Sequence, residues 1–338
     1  MNQEVLIVGA WPIGLACAIS ARRRGGNPRI IDAGAIADAI VRYPVGMVFF
    51  TTSERLEIGG HPLVTSGAKA TREEALKYYR GVARSEGLLI RTYARFAGAV
   101  RENGRFACRL TTRLGEERIA VDRLVLATGY FDHPNRLGVP GEDLPHVSHY
   151  GAEPHLTSGL RVVIVGGKNS AIEHALVSYR AGAQVTLVYR GPSLKQSVKY
   201  WLRPDFENRV KAGEIAARFS AEVVGIEPDA VTIRTPTGVE RLPADRVYLL
   251  TGYRPDFELL ENLGIELDPV SGRPTLDPAT LETNVPGIHL AGSLTAGRMI
   301  SEIFIENGRY DGEKIFGDRE SIAEAERAYD REGREIGE

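Results

Sequence analysis

The sequence predicts an α/β architecture of two parallel-sheet domains, the second inserted in the first. Two glycine turns, each between an apolar strand and a helix, and two matched closing strands predict it. The first unit reads Glu4-Val-Leu-Ile-Val-Gly9-Ala-Trp11-Pro12-Ile13-Gly14-Leu-Ala-Cys17. The second reads Leu160-Arg-Val-Val-Ile-Val165-Gly166-Gly167-Lys168-Asn169-Ser170-Ala171. Both continue into a helix and a further apolar strand, which ends at Ile30-Ile31-Asp32 in the first and at Tyr189-Arg190 in the second. Such units are Rossmann-like, with helices on both faces of a sheet in three layers.

The turn G-x-G-x-x-G needs its first glycine for the bend and its second for backbone approach to a pyrophosphate. Its third allows helix and strand to pack closely. Gly9 and Gly14 meet the first and third demands, and Trp11 stands at the second. Gly166 and Gly167 open the other turn, Lys168 stands at its second glycine, and Ala171 replaces its third, as the pattern allows.

The closing strands are Arg123-Leu-Val-Leu-Ala127-Thr128-Gly129-Tyr130 and Arg246-Val-Tyr-Leu-Leu-Thr251-Gly252-Tyr253. A small residue and a glycine at the end of a parallel strand let a ligand approach the carboxyl end of the sheet. A Pro/Gly-rich stretch, Asp132 to Pro145, reads as a crossing between domains. The expected boundaries are 1–134 with 257–338 for one domain and 135–256, linkers included, for the other.

Between these landmarks the pattern is antiparallel. Phe106 to Thr112 and Arg118 to Val121 alternate around Gly115, and Val223 to Leu242 does so around Thr237-Gly238. A polar stretch runs from Pro255 to Pro286, followed by a strand, Gly287-Ile-His-Leu-Ala-Gly292-Ser293. Ile300 to Phe316 reads as one helix, and the charged tail from Asp318 as a solvated helix or frayed end.

Bulk properties narrow the class. The chain has 338 residues, a length that suits two domains, and a net charge of −2 gives no electrostatic footprint for nucleic acid or an anionic membrane. No apolar run reaches the roughly 20 residues of a spanning helix, and the N-terminus carries no signal-peptide pattern. The expected location is the cytoplasm. Cys17 and Cys108 are the only cysteines, so no Cys-x-x-Cys redox pair and no cysteine-rich metal site exist.

This layout resembles the flavoprotein reductases that bind two dinucleotides, in the low-molecular-weight thioredoxin reductase branch. Within it, four blocks resemble the YpdA-type family of bacillithiol disulfide reductases. They are Tyr43-Pro44-x-x-Met47-x-Phe49-Phe50-Thr-Thr-Ser53-Glu54-x-Leu56-Glu57-Ile58-Gly59, the 166–171 turn, Ser197-Val198-Lys199-Tyr200-Trp201-x-Arg203-Pro204-Asp205, and Ile303-Phe304-Ile305-Glu306-Asn307-Gly308-Arg309. The resemblance implies FAD on the first unit and a nicotinamide cofactor on the second. It also implies a small-molecule disulfide as acceptor and a homo-oligomer.

For FAD the candidate residues are Gly9, Trp11, Pro12, Gly14, Asp32, Thr52, Ser53, Thr128, Gly129, Gly292 and Ser293. Asp32 suits a plain ribose, Thr52 and Ser53 match a segment near the flavin ring, and Ser293 stands where such enzymes often have Asp. For the nicotinamide cofactor they are Gly166, Gly167, Lys168, Asn169, Ser170, Ala171, Tyr189, Arg190, Thr251 and Gly252. A basic Arg190 where an acid would receive a ribose hydroxyl favours NADPH over NADH.

Two departures matter. Family members usually have Gly at position 11. Many carry Cys, proposed as catalytic, at position 13, where this chain has Ile13. Cys17, one helical turn on, is the remaining thiol near the turn, although a cysteine on an apolar helix face is usually inert core. His133, His149 and His155 are candidate proton donors, and no metal site is expected. Three functions stay open: an FAD-dependent NADPH reductase of bacillithiol disulfide, a ferredoxin- or quinone-type NADPH reductase, and an FAD-free NADPH-binding protein if Trp11 blocks the flavin.

Overall fold

The computed structural model describes residues 3–337. In chain order the first part gives β1 (Glu4–Val8), α1 (Pro12–Arg23), β2 (Asn27–Ile31), α2 (Asp38–Val41), α3 (Arg72–Ser85), β3 (Leu89–Arg91), β4 (Ala94–Glu102), β5 (Arg105–Thr112), β6 (Gly115–Val121) and β7 (Arg123–Leu126). The middle gives β8 (Val147–Ser148), β9 (Arg161–Val165), α4 (Asn169–Arg180), β10 (Gln184–Val188), α5 (Arg203–Lys211), β11 (Ala216–Arg218), β12 (Glu222–Glu227), β13 (Ala230–Thr235), β14 (Gly238–Pro243) and β15 (Arg246–Leu249). The last part gives α6 (Phe257–Asn262), β16 (Ile288–Leu290), α7 (Ile305–Gly308), α8 (Asp311–Phe316) and α9 (Arg319–Gly337).

Two compact units result: residues 1–42, 46–133 and 253–338 in one, and 43–45 with 134–252 in the other. The first is built on a parallel sheet of order β16-β7-β1-β2-β3. Its central strands β1 and β7 are short and nearly continuously apolar, as strands covered on both faces must be; Leu6, Ile7, Leu124, Val125 and Leu290 of β16 are fully buried. The antiparallel sheet β4-β5-β6 shares its core, through Phe96, Phe106, Cys108 and Leu110. A capping box starts α3: Thr71 accepts from the Glu74 amide, and the Glu74 carboxylate accepts from the Thr71 amide at 2.8 Å.

The second unit repeats the plan, with a parallel sheet of order β11-β10-β9-β15-β8 and an antiparallel sheet β12-β13-β14. The pattern read as one hairpin over 223–242 is therefore three strands. The single helix expected over 300–316 is two short ones, α7 and α8, separated at Arg309-Tyr310. The break lets Asp311 begin its own helix, with consequences below. The polar stretch from Pro255 to Pro286 contains α6, whose Asp256 cap accepts from the Leu259 amide at 3.1 Å. The charged tail is helix α9, with Ala325 and Ala328 buried. No described helix is long and apolar enough to cross a membrane.

Candidate active site on two glycine turns

In the first unit β1 leads into the turn at its carboxyl end, where open parallel sheets receive ligands. Gly9 has φ +115°, and a Cβ there would collide with the carbonyl of Ala127 on the neighbouring strand. A Cβ on Gly14 would strike the Gly9 carbonyl. Gly9 is therefore demanded by the close approach of the neighbouring strand's end, and Gly14 by strand–helix contact.

Trp11 is different. It caps α1 with φ −89° and ψ 171°, an extended conformation open to any residue. The usual glycine at this place is thus demanded by the ligand's approach and not by the backbone angles. The indole lies on the closing turn, its Cζ3 3.0 Å from where a Cβ of Gly129 would stand. Pro12 opens α1 and is buried, having no N–H to donate. The first-turn amides of Ile13 and Gly14 have no intrahelical acceptor and form the anion-attracting end of a 12-residue helix.

At the end of β2 the Asp32 carboxylate accepts from two amides, Ala10 and Gly34, at 2.7 Å each. Burial pushes its pKa up, and the two amide bonds hold it down. One lone pair per oxygen stays available for ribose hydroxyls. Thr128 and Gly129 follow β7, and Gly292 and Ser293 follow β16, the adjacent strand. Thr52 is exposed. Ser53 is buried, its hydroxyl 2.8 Å from that of Thr65. Arg309 donates to the Glu54 and Glu57 carbonyls at 2.7 and 3.0 Å, so the 43–59 and 303–309 sequence blocks meet in space.

The second turn follows the same physics. Gly166 has φ +150°, and a Cβ there would come within 2.9 Å of the Ala171 Cβ. Lys168, cap of α4, has φ −115° and ψ −175°, again open to any residue, and is exposed. Asn169 accepts from the Lys199 amide at 2.9 Å, tying the helix start to the Ser197–Asp205 block. Ser170 is exposed beside it. The Tyr189 ring is wedged between Gly167 and Gly191, where it would be 2.5 Å from a Cβ on either. Arg190 is exposed two residues past the end of β10; the place that matches Asp32 is held by Tyr189, so the basic residue stands one position further on than the sequence alone suggests. Thr251 gives its hydroxyl to the Asn135 carbonyl at 2.6 Å, and Gly252 has φ +91°.

The thiols stand apart from this chemistry. Cys17 is fully buried in α1, and burial together with the nearby Asp311 charge pushes its pKa well up. Cys108 is buried in β5, and desolvation pushes it up to about 12. Neither offers a thiolate near neutral pH. Ile13 packs where a thiol would have stood, its Cδ1 2.8 Å from a Cβ built on Gly292 and 2.6 Å from one on Gly308.

The histidines do not converge. His133 lies 3.5 Å from the Asp256 carboxylate, His155 is exposed, and burial lowers the pKa of His149. One feature had no signature in the sequence. Asp311, buried in α8, accepts the Gly292 amide at 2.6 Å. A lone Asp in a charged stretch gave nothing to find it by, because its partner is a backbone group 19 residues away.

Comparisons with known proteins place the chain in a family. Residues 6–292 match the model of the pyridine nucleotide-disulphide oxidoreductases. The bacilliredoxin reductase Bdr of Bacillus subtilis is 38% identical over 93% of this chain and 97% of its own. A ferredoxin–NADP reductase of Ignicoccus hospitalis is 28% identical over 87% of the chain and 90% of its own. Among solved structures, the bacillithiol disulfide reductase Bdr from Bacillus cereus superposes with TM-score 0.91 at 38% identity, covering 98% of this chain and 100% of that one. Thioredoxin reductase from T. acidophilum, at 21% identity and TM-score 0.73 over 96% of this chain and 99% of that one, shares the fold. With the glycine turns, closing strands and late strand all inside or beside the matched span, the chain belongs to the pyridine nucleotide-disulphide oxidoreductase family.

Proposed function

We propose that this chain is an FAD-dependent NADPH reductase of a low-molecular-weight disulfide, with bacillithiol disulfide as the candidate acceptor. The observation that carries it is the duplicated glycine cradle at the carboxyl ends of two parallel sheets, each facing a Thr-Gly closing turn. The identity to bacillithiol disulfide reductases over nearly the whole chain supports the acceptor.

The residues of the first unit fit a flavin dinucleotide. Gly9 and Gly14 let strand, turn and helix pack closely enough to form the cradle, α1 presents its amides, and Asp32 retains lone pairs for a ribose. In this reading Pro12 and Trp11 border the pyrophosphate, and Thr52, Ser53, Thr128, Gly129, Gly292 and Ser293 line the remainder. In the second unit, residues 166–171, Tyr189, Thr251 and Gly252 hold NADPH, and Arg190 pairs with the 2′-phosphate. The second unit is thus a nicotinamide domain inserted in a flavin domain.

A bound flavin supplies hydride acceptance from the nicotinamide and two-electron donation to the disulfide. The balance is NADPH, one proton and a disulfide in, NADP⁺ and two thiols out. Both cysteines are buried and protonated, and Ile13 replaces the thiol nearest the turn. The chain therefore contributes orientation, a pyrophosphate-binding helix end and exclusion of water, while the acceptor's own sulfurs carry the thiol chemistry. A cytoplasmic homo-oligomer is part of the proposal, and size-exclusion chromatography with light scattering tests the assembly.

The test is direct. Protein purified without added cofactor should be yellow and release FAD on denaturation. It should oxidise NADPH when bacillithiol disulfide is added. Turnover with ferredoxin or a quinone but not with the disulfide would move the chain to the second reading, which the ferredoxin–NADP reductase relatives support. Colourless protein that takes up no added FAD yet binds NADPH would establish the flavin-free reading, which the position of the Trp11 indole on Gly129 supports.

A further inference from the structure

The main-chain ladder of the first unit's sheet ends one residue before Gly292. The Ala291 amide still donates to the Leu126 carbonyl of β7, at 2.9 Å. The next amide, that of Gly292, turns away from the sheet and donates to the Asp311 carboxylate at 2.6 Å. Gly292 itself has φ +69°, a conformation costly for residues with a side chain. On one side it is closed by Ile13, in the first turn of α1, and on the other by Asp311.

The carboxylate is rigidly placed. Asp311 is 3% exposed, and α8 lies so close to α1 that a Cβ on Gly312 would stand 2.8 Å from the Cys17 Cα and 2.7 Å from the Ser20 hydroxyl. Ser20 donates to Glu313 at 2.7 Å, and Arg24 pairs with the same carboxylate at 3.1 Å, which pins α8 to α1 along its length. A buried carboxylate carries a large desolvation cost, and the charge-assisted bond to the amide offsets part of it. This chain places that cost behind the glycine at which β16 reaches the ligand end of the sheet.

We propose that Asp311 is a positioning residue: through the Gly292 amide it fixes the turn after β16 against the first turn of α1, and so sets the shape of the flavin cradle from behind. The inference rests on the flavin reading of the first unit. The carboxylate touches no ligand; it acts through the main chain of Gly292. Among the described residues, Cys17 from α1 and Lys314 from its own helix are the titratable groups that act on it, with Glu313 turned to Ser20 and Arg24. Burial raises the Asp311 pKa to about 7, while the Gly292 amide and Lys314 pull it down.

The experiment compares Asp311→Ala and Asp311→Asn with the native chain by two readouts. One is amide exchange at Gly292 in the apoprotein, and the other is FAD affinity by fluorescence titration. Asp311→Ala should exchange Gly292 at least tenfold faster and bind FAD about tenfold more weakly. Asp311→Asn keeps an acceptor oxygen and should restore both to within threefold. Native protection at Gly292 should also change between pH 6 and 8 while that of Asp311→Asn stays level, so Asp311→Asn against native decides the matter if Asp311→Ala does not fold. Unchanged Gly292 exchange in Asp311→Ala, or a native pH profile as level as that of Asp311→Asn, overturns the proposal. FAD affinity within twofold of native in Asp311→Ala overturns it as well. If neither the native chain nor Trp11→Gly takes up FAD, the flavin reading fails, and Gly292 exchange alone decides whether Asp311 holds the turn.

Discussion

At the scale of single residues, Trp11 separates two demands that glycine usually meets together. Its backbone angles suit any residue, so the tryptophan costs the turn no strain, and its ring rests on Gly129 beside the cradle. In the flavin reading the cost falls on the ligand, which would share that space. Trp11→Gly should therefore raise the flavin released per chain with little change in melting temperature, read by absorbance after denaturation. Equal flavin content in both proteins would show that the indole folds clear. Cys17 sits at the opposite extreme, enclosed on every side. Cys17→Ala should leave kcat within about twofold and lower stability by roughly 1 kcal/mol through lost buried volume. A kcat drop of a hundredfold would make Cys17 part of the chemistry.

At the scale of elements, α4 carries a buried titratable group with a pH consequence. His174 packs edge-on to Tyr248, with ring centroids 4.3 Å apart, and neither ring nitrogen has a hydrogen-bond partner among the described residues. Burial lowers its pKa to about 4, against 6.5 for an ordinary histidine. Between those values the unfolded chain binds a proton that the folded chain refuses. Stability therefore falls as pH drops from 6.5 towards 4, by on the order of 3 kcal/mol, and levels off below. Denaturant melts of the native chain across that range should show the loss, and His174→Leu should flatten it. A slope unchanged in His174→Leu would place the titrating group elsewhere. The elements also show what patterning conveys. Strands β1, β9, β7 and β15 were readable because their apolar runs end in glycine turns. The break between α7 and α8 was not: the 300–316 segment reads as helical throughout, whereas in the fold the chain leaves the helix at Arg309-Tyr310 and α8 packs against α1.

At the scale of the molecule, two units of one plan differ just past the second strand: Asp32 follows β2 directly, whereas Tyr189 takes that place after β10 and Arg190 stands one residue further on. In the proposed reading this difference in charge assigns the units to different dinucleotides, because a plain ribose needs an acceptor and a 2′-phosphate needs a cation. Arg190→Ala should weaken NADPH about tenfold, seen in KM with kcat little changed, and leave NADH within about twofold. Equal losses for both cofactors would place the 2′-phosphate contact on another residue.

The sequence by itself determined the α/β class, its parallel strands and the position of the glycine turns. Strand, glycine and helix signals are local, and duplication within one chain made them specific. The four blocks and the scarcity of cysteine pointed to the family for the same reason, since each is a run of neighbouring residues. Tertiary structure alone decided which groups meet across long separations. It laid the Trp11 indole on Gly129, set Ile13 between Gly292 and Gly308, closed Cys17 away from solvent, and brought the Asp311 carboxylate to the Gly292 amide. Those contacts depend on how closely helices and strand ends approach, a quantity fixed by packing in three dimensions and by no pattern along the chain.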